Sequence, residues 1–140
     1  MTQRYFEDIT IGEELPPAER LPTEDVTTGF YTREGEPPPT PERVPVASAG
    51  FSGIIVPGLL KVAWLSQYVM DWAGPAAEFR TIRVSYRRPD PAGEPLTLTA
   101  AVVDKREEAG RRIVEVEVAT IAAEGPSVRG TVQVEFPARP

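Results

Sequence analysis

The side chains of this sequence that could carry out chemistry are carboxylates, phenols, hydroxyls and amines, because it contains neither histidine nor cysteine. Histidine is the commonest general base near neutral pH, and histidine and cysteine are the usual ligands of transition metals. We therefore expect no metal site, no redox cofactor and no disulfide framework. Any proton transfer must depend on carboxylates, tyrosines, lysines, hydroxyl groups or the backbone.

A second group of residues could bind a ligand without reacting with it. Arg83 and Arg87 belong to a basic stretch along a predicted strand, where they either contact a phosphate-bearing ligand or lie on a solvated strand face. Tyr31 either lines a pocket or anchors the preceding segment. These alternatives remain open on the sequence alone.

Charge and hydropathy exclude two classes of partner. The net charge of −6 argues against nucleic acid, because phosphate backbones are bound by a concentrated basic patch. No apolar run reaches the roughly 18 residues that are needed to cross a bilayer. The first residues also lack the apolar core of a signal peptide, so we expect a cytoplasmic protein.

One long helix is predicted at residues 58–73, between Pro57-Gly58 and Gly74-Pro75, which are typical helix boundaries. Most of its circumference is apolar, which predicts a helix surrounded by other elements. The polar residues of this helix are Lys61, Ser66, Gln67 and Asp71.

Alternating apolar and polar residues predict four strands after the helix, at about 77–88, 95–105, 112–122 and 127–136. Turn residues at 90–93, 107–110 and 124–126 separate them, which predicts an antiparallel meander with one dry face. Before the helix, we expect a short strand around 17–23 and a short helix over 25–31, with Thr23 as its N-cap. The prediction is one α+β domain over residues 1–140, an antiparallel curved sheet wrapped around one central helix.

Residues 32–45 contain five prolines, which exclude both a helix and a central strand because each proline removes a backbone donor and fixes φ. This segment is predicted to be a loop with polyproline character. Whether it is a functional loop or a linker stays open.

Four stretches, in order along nearly the whole chain, resemble the MaoC-like (R)-specific enoyl-CoA hydratases and acyl dehydratases. They are Tyr5-Phe-Glu-Asp-Ile-Thr-Ile-Gly-Glu-Glu-Leu15, Gly50-Phe-Ser-Gly-Ile-Ile-Val-Pro-Gly58, Asp71-Trp-Ala-Gly-Pro75 and Pro91-Ala-Gly-Glu-Pro-Leu-Thr97, the last at the position of the first hairpin. The resemblance implies the hot-dog fold and an acyl-CoA ligand. It also implies that Gly58 supplies the backbone N–H that stabilises an enolate-like oxygen.

The family's catalytic motif reads Asp-x-Asn-Pro-x-His-x-Asp, with its histidine ten residues before the Gly-Phe that precedes the helix. Counting back from Gly50 places Gly35 at the position of the catalytic aspartate, Thr40 at that of the histidine and Glu42 at that of the second acid. Both catalytic side chains are therefore missing. The loss of acid–base catalysis typically lowers a rate by a factor of about 10² to 10⁴.

The resemblance thus favours a catalytically silent MaoC-like subunit. It would pair with a His-bearing MaoC-like partner, as a heterodimer or heterotetramer, to form an enoyl-CoA hydratase of acyl-CoA, lipid or steroid side-chain metabolism. Residues 67–75 particularly resemble the small subunits of steroid side-chain hydratases.

Two alternatives remain. The first is a hot-dog thioesterase or an atypical dehydratase that uses Asp71, Glu42 or Glu36, although Asp71 also fits a solvated or capping carboxylate. The second is a non-catalytic homodimer that binds acyl-CoA.

Overall fold

The computed structural model describes residues 2–31 and 54–140. Its long helix, α2, extends over Gly58–Ala73, the range predicted from its boundary residues. Gly74 ends the helix with φ of 103°, a conformation that glycine adopts without steric cost. A shorter helix, α1, covers Glu24–Tyr31, and the Oγ1 of Thr23 accepts the backbone N–H of Val26 at 3.1 Å as the predicted cap.

Five antiparallel strands form one sheet. In chain order they are β1 (Ala18–Arg20), β2 (Glu78–Tyr86), β3 (Leu96–Glu108), β4 (Arg111–Ala122) and β5 (Gly125–Glu135). Their order across the sheet is β1-β3-β4-β5-β2, so β1 and β2 lie at its two edges. The predicted α+β class, with an antiparallel sheet around one main helix, is confirmed.

The predicted meander is correct for β3, β4 and β5 but wrong for β2. Instead of forming a hairpin with β3, β2 pairs with β5 at the far edge of the sheet. The segment 87–95 is therefore a crossover, and it pairs with the segment before α2 through an antiparallel bridge between Ile55 and Pro91. Turn residues at 90–93 indicate a change of direction, but they do not specify which strand the next one pairs with.

The alternating residues of the central strands place one face against α2. Val114, Val116 and Val118 are buried on β4, whereas Glu117 between them is exposed. The same alternation on β3 and β5 buries Leu96, Leu98, Ala100, Val102, Val128, Val132 and Val134. Burial of these apolar side chains contributes the main stabilisation of the fold, because each removes its hydrocarbon surface from water.

The segment before β1 packs along β3. Ile9 and Leu15 are buried in the core, and the backbone N–H of Leu15 donates to the carbonyl of Ala100 at 2.9 Å. The ammonium of Lys105 donates to the carbonyls of Phe6 and Ile9 at 2.6 and 2.8 Å. These bonds fix the N-terminal segment to the sheet.

The prediction that α2 is surrounded is wrong for the single chain, because one stripe of the helix faces outward. Leu59 is 69 % exposed, and Ala63, Gln67 and Asp71 continue the exposed stripe at four-residue spacing. Lys61, which the sequence places among the polar residues of the helix, is instead buried. Hydropathy alone does not distinguish a face that packs on the chain's own sheet from a face that other molecules cover.

Candidate functional site

The start of α2 is the centre of the candidate site. Pro57 is the N-cap residue, and its carbonyl accepts the N–H groups of Leu60 and Lys61 at 3.1 and 3.3 Å. The first N–H groups of any α-helix have no acceptor within the helix, and they carry the positive end of its dipole. The start of α2 at Gly58 can therefore stabilise an oxygen that carries negative charge.

Tyr86, at the end of β2, lies directly against this helix start. A Cβ atom at Gly58 would come within 2.6 Å of Cε1 of Tyr86 and 3.0 Å of its hydroxyl oxygen. Because real Cβ atoms do not approach other carbons so closely, only glycine fits while Tyr86 keeps this position. The glycine thus brings a phenol into contact with the backbone at the first turn of the helix.

An open cavity of about 560 Å³ lies beside this contact. Ligand-binding clefts in proteins typically have volumes of about 300–1,000 Å³. Most of its lining is apolar, with a few polar groups, as in ligand-binding clefts generally. Its lining residues are Ile55, Val56, Gly58, Leu59, Lys61, Tyr86, Arg87, Arg88 and Pro89.

A buried ion pair stands at the wall of this cavity. The Nζ of Lys61 donates to Oδ2 of Asp90 at 3.0 Å, and the two side chains are only 3 % and 2 % exposed. The carbonyl of Asp90 accepts the N–H of Val56 at 2.8 Å, which ties the crossover to the segment before α2. Sequence reasoning missed this pair, although a lysine within a mostly apolar helix was a signal for it.

The basic residues of β2 and the crossover divide between two environments. Arg87 lines the cavity, whereas Arg83 does not and lies exposed along β2. Within residues 2–31 and 54–140, neither of these two guanidinium groups has a carboxylate partner. Arg88 also lines the cavity, but it forms an ion pair with Glu124. Of Arg83 and Arg87, only Arg87 is therefore positioned to contact an anionic group of a ligand in this cavity.

Asp71 lies near the other end of α2, thirteen positions after Gly58. At 1.5 Å per residue, this spacing separates the two residues by about 20 Å along the helix. Asp71 is exposed and lines a different cavity, of about 340 Å³, together with Tyr68 and Trp72. The structure therefore does not bring Asp71 together with the helix start.

Tyr68 packs its ring into the core beside Asp71 and donates its hydroxyl to the carbonyl of Pro16 at 2.8 Å. Burial raises the pKa of Tyr68 above its ordinary value, because the charged phenolate loses its hydration there. The hydroxyl is thus a hydrogen-bonded structural group, which ties α2 to the segment before β1.

Several predicted site residues cannot be placed against this geometry. Gly35, Glu36, Thr40 and Glu42 lie outside the described residues, as does the predicted loop over 32–45, so these remain predictions. Tyr31 is the last residue of α1, and its predicted role at a pocket also remains a prediction.

Over the described residues there is no group of three or more carboxylates that could hold a metal ion. In the same part of the chain, no helix has the length and hydropathy needed to cross a membrane.

A model of the MaoC like domain family matches residues 43–125 of the sequence. Compared by sequence with curated proteins, the chain has no significant match. Three solved structures are similar to it throughout, and all have the hot-dog architecture, which confirms the predicted fold.

The first is a chain of the ChsH1–ChsH2 complex from Mycobacterium tuberculosis, with a TM-score of 0.74 and 23 % identity over 91 % of this chain and 98 % of that chain. The second is the (R)-hydratase PhaJ1 from Pseudomonas aeruginosa, with a TM-score of 0.78 and 18 % identity over 96 % and 86 %. The third is a MaoC-like dehydratase from Rhodospirillum rubrum, with a TM-score of 0.77 and 19 % identity over 98 % and 99 %.

Proposed function

Because this chain belongs to the MaoC-like domain family, whose model matches more than half of it, we propose that it is a catalytically silent subunit of a heteromeric enoyl-CoA hydratase. Residues 1–140 form its single hot-dog domain. A His-bearing MaoC-like partner supplies the acid–base pair, and this chain shapes the acyl-CoA pocket. The complex acts in the cytoplasm on acyl-CoA of lipid or steroid side-chain metabolism.

The observation that carries this proposal is the composition of the chain. Hydration of an enoyl thioester needs a group that activates water and delivers a proton. The two positions that match the family's catalytic residues are Gly35 and Thr40, and neither glycine nor threonine can act as a base at neutral pH. Because the sequence has no histidine at all, no other register of the loop restores the missing side chain.

The binding half of the site supports the same proposal. The helix start at Gly58 can donate a hydrogen bond to the carbonyl oxygen of a thioester, because the first N–H groups point along the helix axis beyond its N-terminus. The adjacent cavity has a suitable volume, and Arg87 on its wall suits a CoA phosphate group. A chain with these features can bind an acyl-CoA and contribute to its pocket without proton transfer.

Two exposed surfaces support pairing with another chain. Among the described strands, β2 pairs only with β5, so its other edge presents unpaired backbone groups. Leu59, Phe79 and Tyr86 are 69 %, 40 % and 52 % exposed, and all three lie on α2 or β2. An unpaired edge flanked by exposed apolar side chains is typical of a surface that another protein covers. The likeness to a chain of a two-component complex points in the same direction.

Co-expression with a His-bearing MaoC-like protein, followed by native mass measurement, tests the pairing. We expect a complex that contains both chains in equal number. The matched variants are Leu59→Asp, on the exposed stripe of α2, and Val103→Asp, on β3 and 43 % exposed. A charge in the interface disfavours association because it must be desolvated, so Leu59→Asp should dissociate the complex and Val103→Asp should not.

Two results of this experiment would contradict the proposal. One is that no complex forms with any His-bearing relative encoded beside this chain. The other is a mass that corresponds to two copies of this chain, which would favour the acyl-CoA-binding homodimer. A thermal shift with acyl-CoA in the absence of turnover would then identify that second function.

A further inference from the structure

The ammonium of Lys61 is the buried charged group at the cavity that the proposed function does not use. It lies three residues after Gly58, so the two residues share one face of α2. Lys61 lines the cavity, whereas its carboxylate partner Asp90 does not. Lys61 thus belongs both to the wall of the cavity and, through its ammonium, to the ion pair with Asp90.

The position of this ammonium is fixed by the backbone around it. Asp90 belongs to the crossover, which two hydrogen bonds hold against the segment before α2: Val56 N–H to Asp90 O and Ala92 N–H to Ile54 O, both 2.8 Å. Lys61 is held from the other side by the first turn of the helix. An exposed lysine moves freely, whereas the buried ammonium of Lys61 is held in place by its bond to Asp90.

The hydrogen bonds of this ammonium are incomplete within the described part of the chain. A lysine ammonium has three N–H donors, and one of them is used by Asp90 at 3.0 Å. Among the described residues no second acceptor is found for it, although its side chain is only 3 % exposed. The ring of Tyr86, which also lines the cavity, lies with its centroid 5.9 Å from the same Nζ. Because buried donors are normally satisfied, a further acceptor is expected at this ammonium.

We propose that Lys61 is a ligand-binding residue that donates a hydrogen bond to the carbonyl oxygen of an acyl thioester at the start of α2, with Asp90 as its positioning residue. The oxygen then receives one bond from the backbone at Gly58 and a second, charged bond from Lys61. A hydrogen bond from an ionised donor is about twice as strong as a neutral one. This inference rests on the acyl-CoA pocket of the proposed function but not on the silent role or the partner.

The test compares two ligands that differ in one oxygen. Butyryl-CoA has the thioester carbonyl, and S-butyl-CoA, its thioether analogue, lacks it. Isothermal titration of the full chain measures the two dissociation constants. We expect the wild type to prefer butyryl-CoA by roughly tenfold to hundredfold, the range expected for hydrogen bonds that include a charged group.

The variant Lys61→Met/Asp90→Leu removes the ion pair without leaving either charge buried alone. We expect it to bind both ligands with dissociation constants within about threefold of each other, because only the backbone contact remains. The matched control is Arg129→Met/Glu117→Gln, which removes an exposed ion pair from the sheet and also leaves the net charge unchanged. The control should keep the wild-type preference, and circular dichroism of each variant checks its fold.

Three results would overturn this inference: no binding of butyryl-CoA by the wild type, equal affinities of the wild type for both ligands, or an unchanged preference in the Lys61→Met/Asp90→Leu variant. A purely structural role of the pair would change stability but not the preference between the ligands. The outcome is separate from the pairing experiment. A chain that discriminates the ligands but forms no heteromer keeps this inference and loses the proposed function.

Discussion

The Lys61–Asp90 ion pair should dominate the response of this protein to single substitutions. Both side chains are almost completely buried, and their charged atoms are 3.0 Å apart. Lys61→Met leaves the carboxylate buried without its counter-charge, and Asp90→Leu leaves the ammonium in the same state. Loss of one member of a buried pair typically costs about 3–5 kcal/mol. Each single variant should lose about that much of its free energy of unfolding, a large share of the roughly 5–15 kcal/mol of a typical domain.

The double variant Lys61→Met/Asp90→Leu should behave differently, because it leaves no unpaired charge. Replacement of a buried pair by apolar side chains of similar volume is often neutral or stabilising. We expect its free energy of unfolding to lie within about 2 kcal/mol of the wild type, so the two substitutions should be coupled by at least about 3 kcal/mol.

Urea denaturation at pH 7, followed by circular dichroism at one protein concentration, measures all four proteins of this cycle. A loss of less than about 1 kcal/mol in each single variant, or a loss in the double variant equal to the sum of the two single losses, would contradict this coupling. Either result would mean that the pair is solvated or uncoupled in solution.

Three further predictions concern backbone and core contacts. Gly58→Ala should destabilise the wild type by less than about 1 kcal/mol, because its methyl group displaces the end of the exposed Tyr86 ring, but should stabilise a Tyr86→Ala background by up to about 1 kcal/mol through helix propensity. Gly130→Ala should cost more than about 2 kcal/mol, since its Cβ would lie 2.2 Å from a backbone oxygen of β2 that cannot move away. Tyr68→Phe should cost about 1 kcal/mol at pH 7 through its lost hydrogen bond. Burial raises the pKa of Tyr68 above its ordinary value of 10.0, so the hydroxyl ionises more readily in the unfolded chain than in the folded one. Its ionisation therefore leaves stability unchanged below pH 10.0 and lowers stability as the pH rises above 10.0. Tyr68→Phe should remove this contribution to the loss of stability at alkaline pH.

Urea midpoints measure the glycine variants, and the midpoint of Tyr68→Phe is followed between pH 8 and pH 11. A destabilisation by Gly58→Ala that persists without Tyr86 would place the clash elsewhere. A neutral Gly130→Ala would contradict the close pairing of β5 with β2. An alkaline loss in Tyr68→Phe equal to that of the wild type would assign it to other groups.

The alternation of apolar and polar residues predicted the strands, because this pattern depends only on the residues of each strand itself. The alternation of Val114, Val116 and Val118 with Glu117 places apolar side chains on one face whatever the neighbouring strand is. The position of β2 beyond β5 was not predictable in this way. Which strands pair depends on contacts distant in sequence, and a turn at residues 90–93 is compatible with a hairpin and with a crossover.

The candidate site was predictable only in part, for the same reason. Gly58 was identified from the residues that begin the helix and from a family resemblance. The contact of Gly58 with Tyr86 and the pairing of Lys61 with Asp90, 29 positions apart, depend on how the crossover returns to the helix start. Lysine in a helix is usually exposed, so the only sign that Lys61 is buried was its position in a mostly apolar helix.

Hydration of crotonyl-CoA by the purified chain tests the proposed silent role most directly. The ultraviolet absorbance of the enoyl thioester follows the reaction, with a His-bearing MaoC-like enzyme measured under the same conditions. We expect the chain alone to reach at most about one-hundredth of that enzyme's rate, because it lacks the acid–base pair. A rate equal to that of the His-bearing enzyme would show that this chain carries its own catalytic groups, and would contradict the proposal.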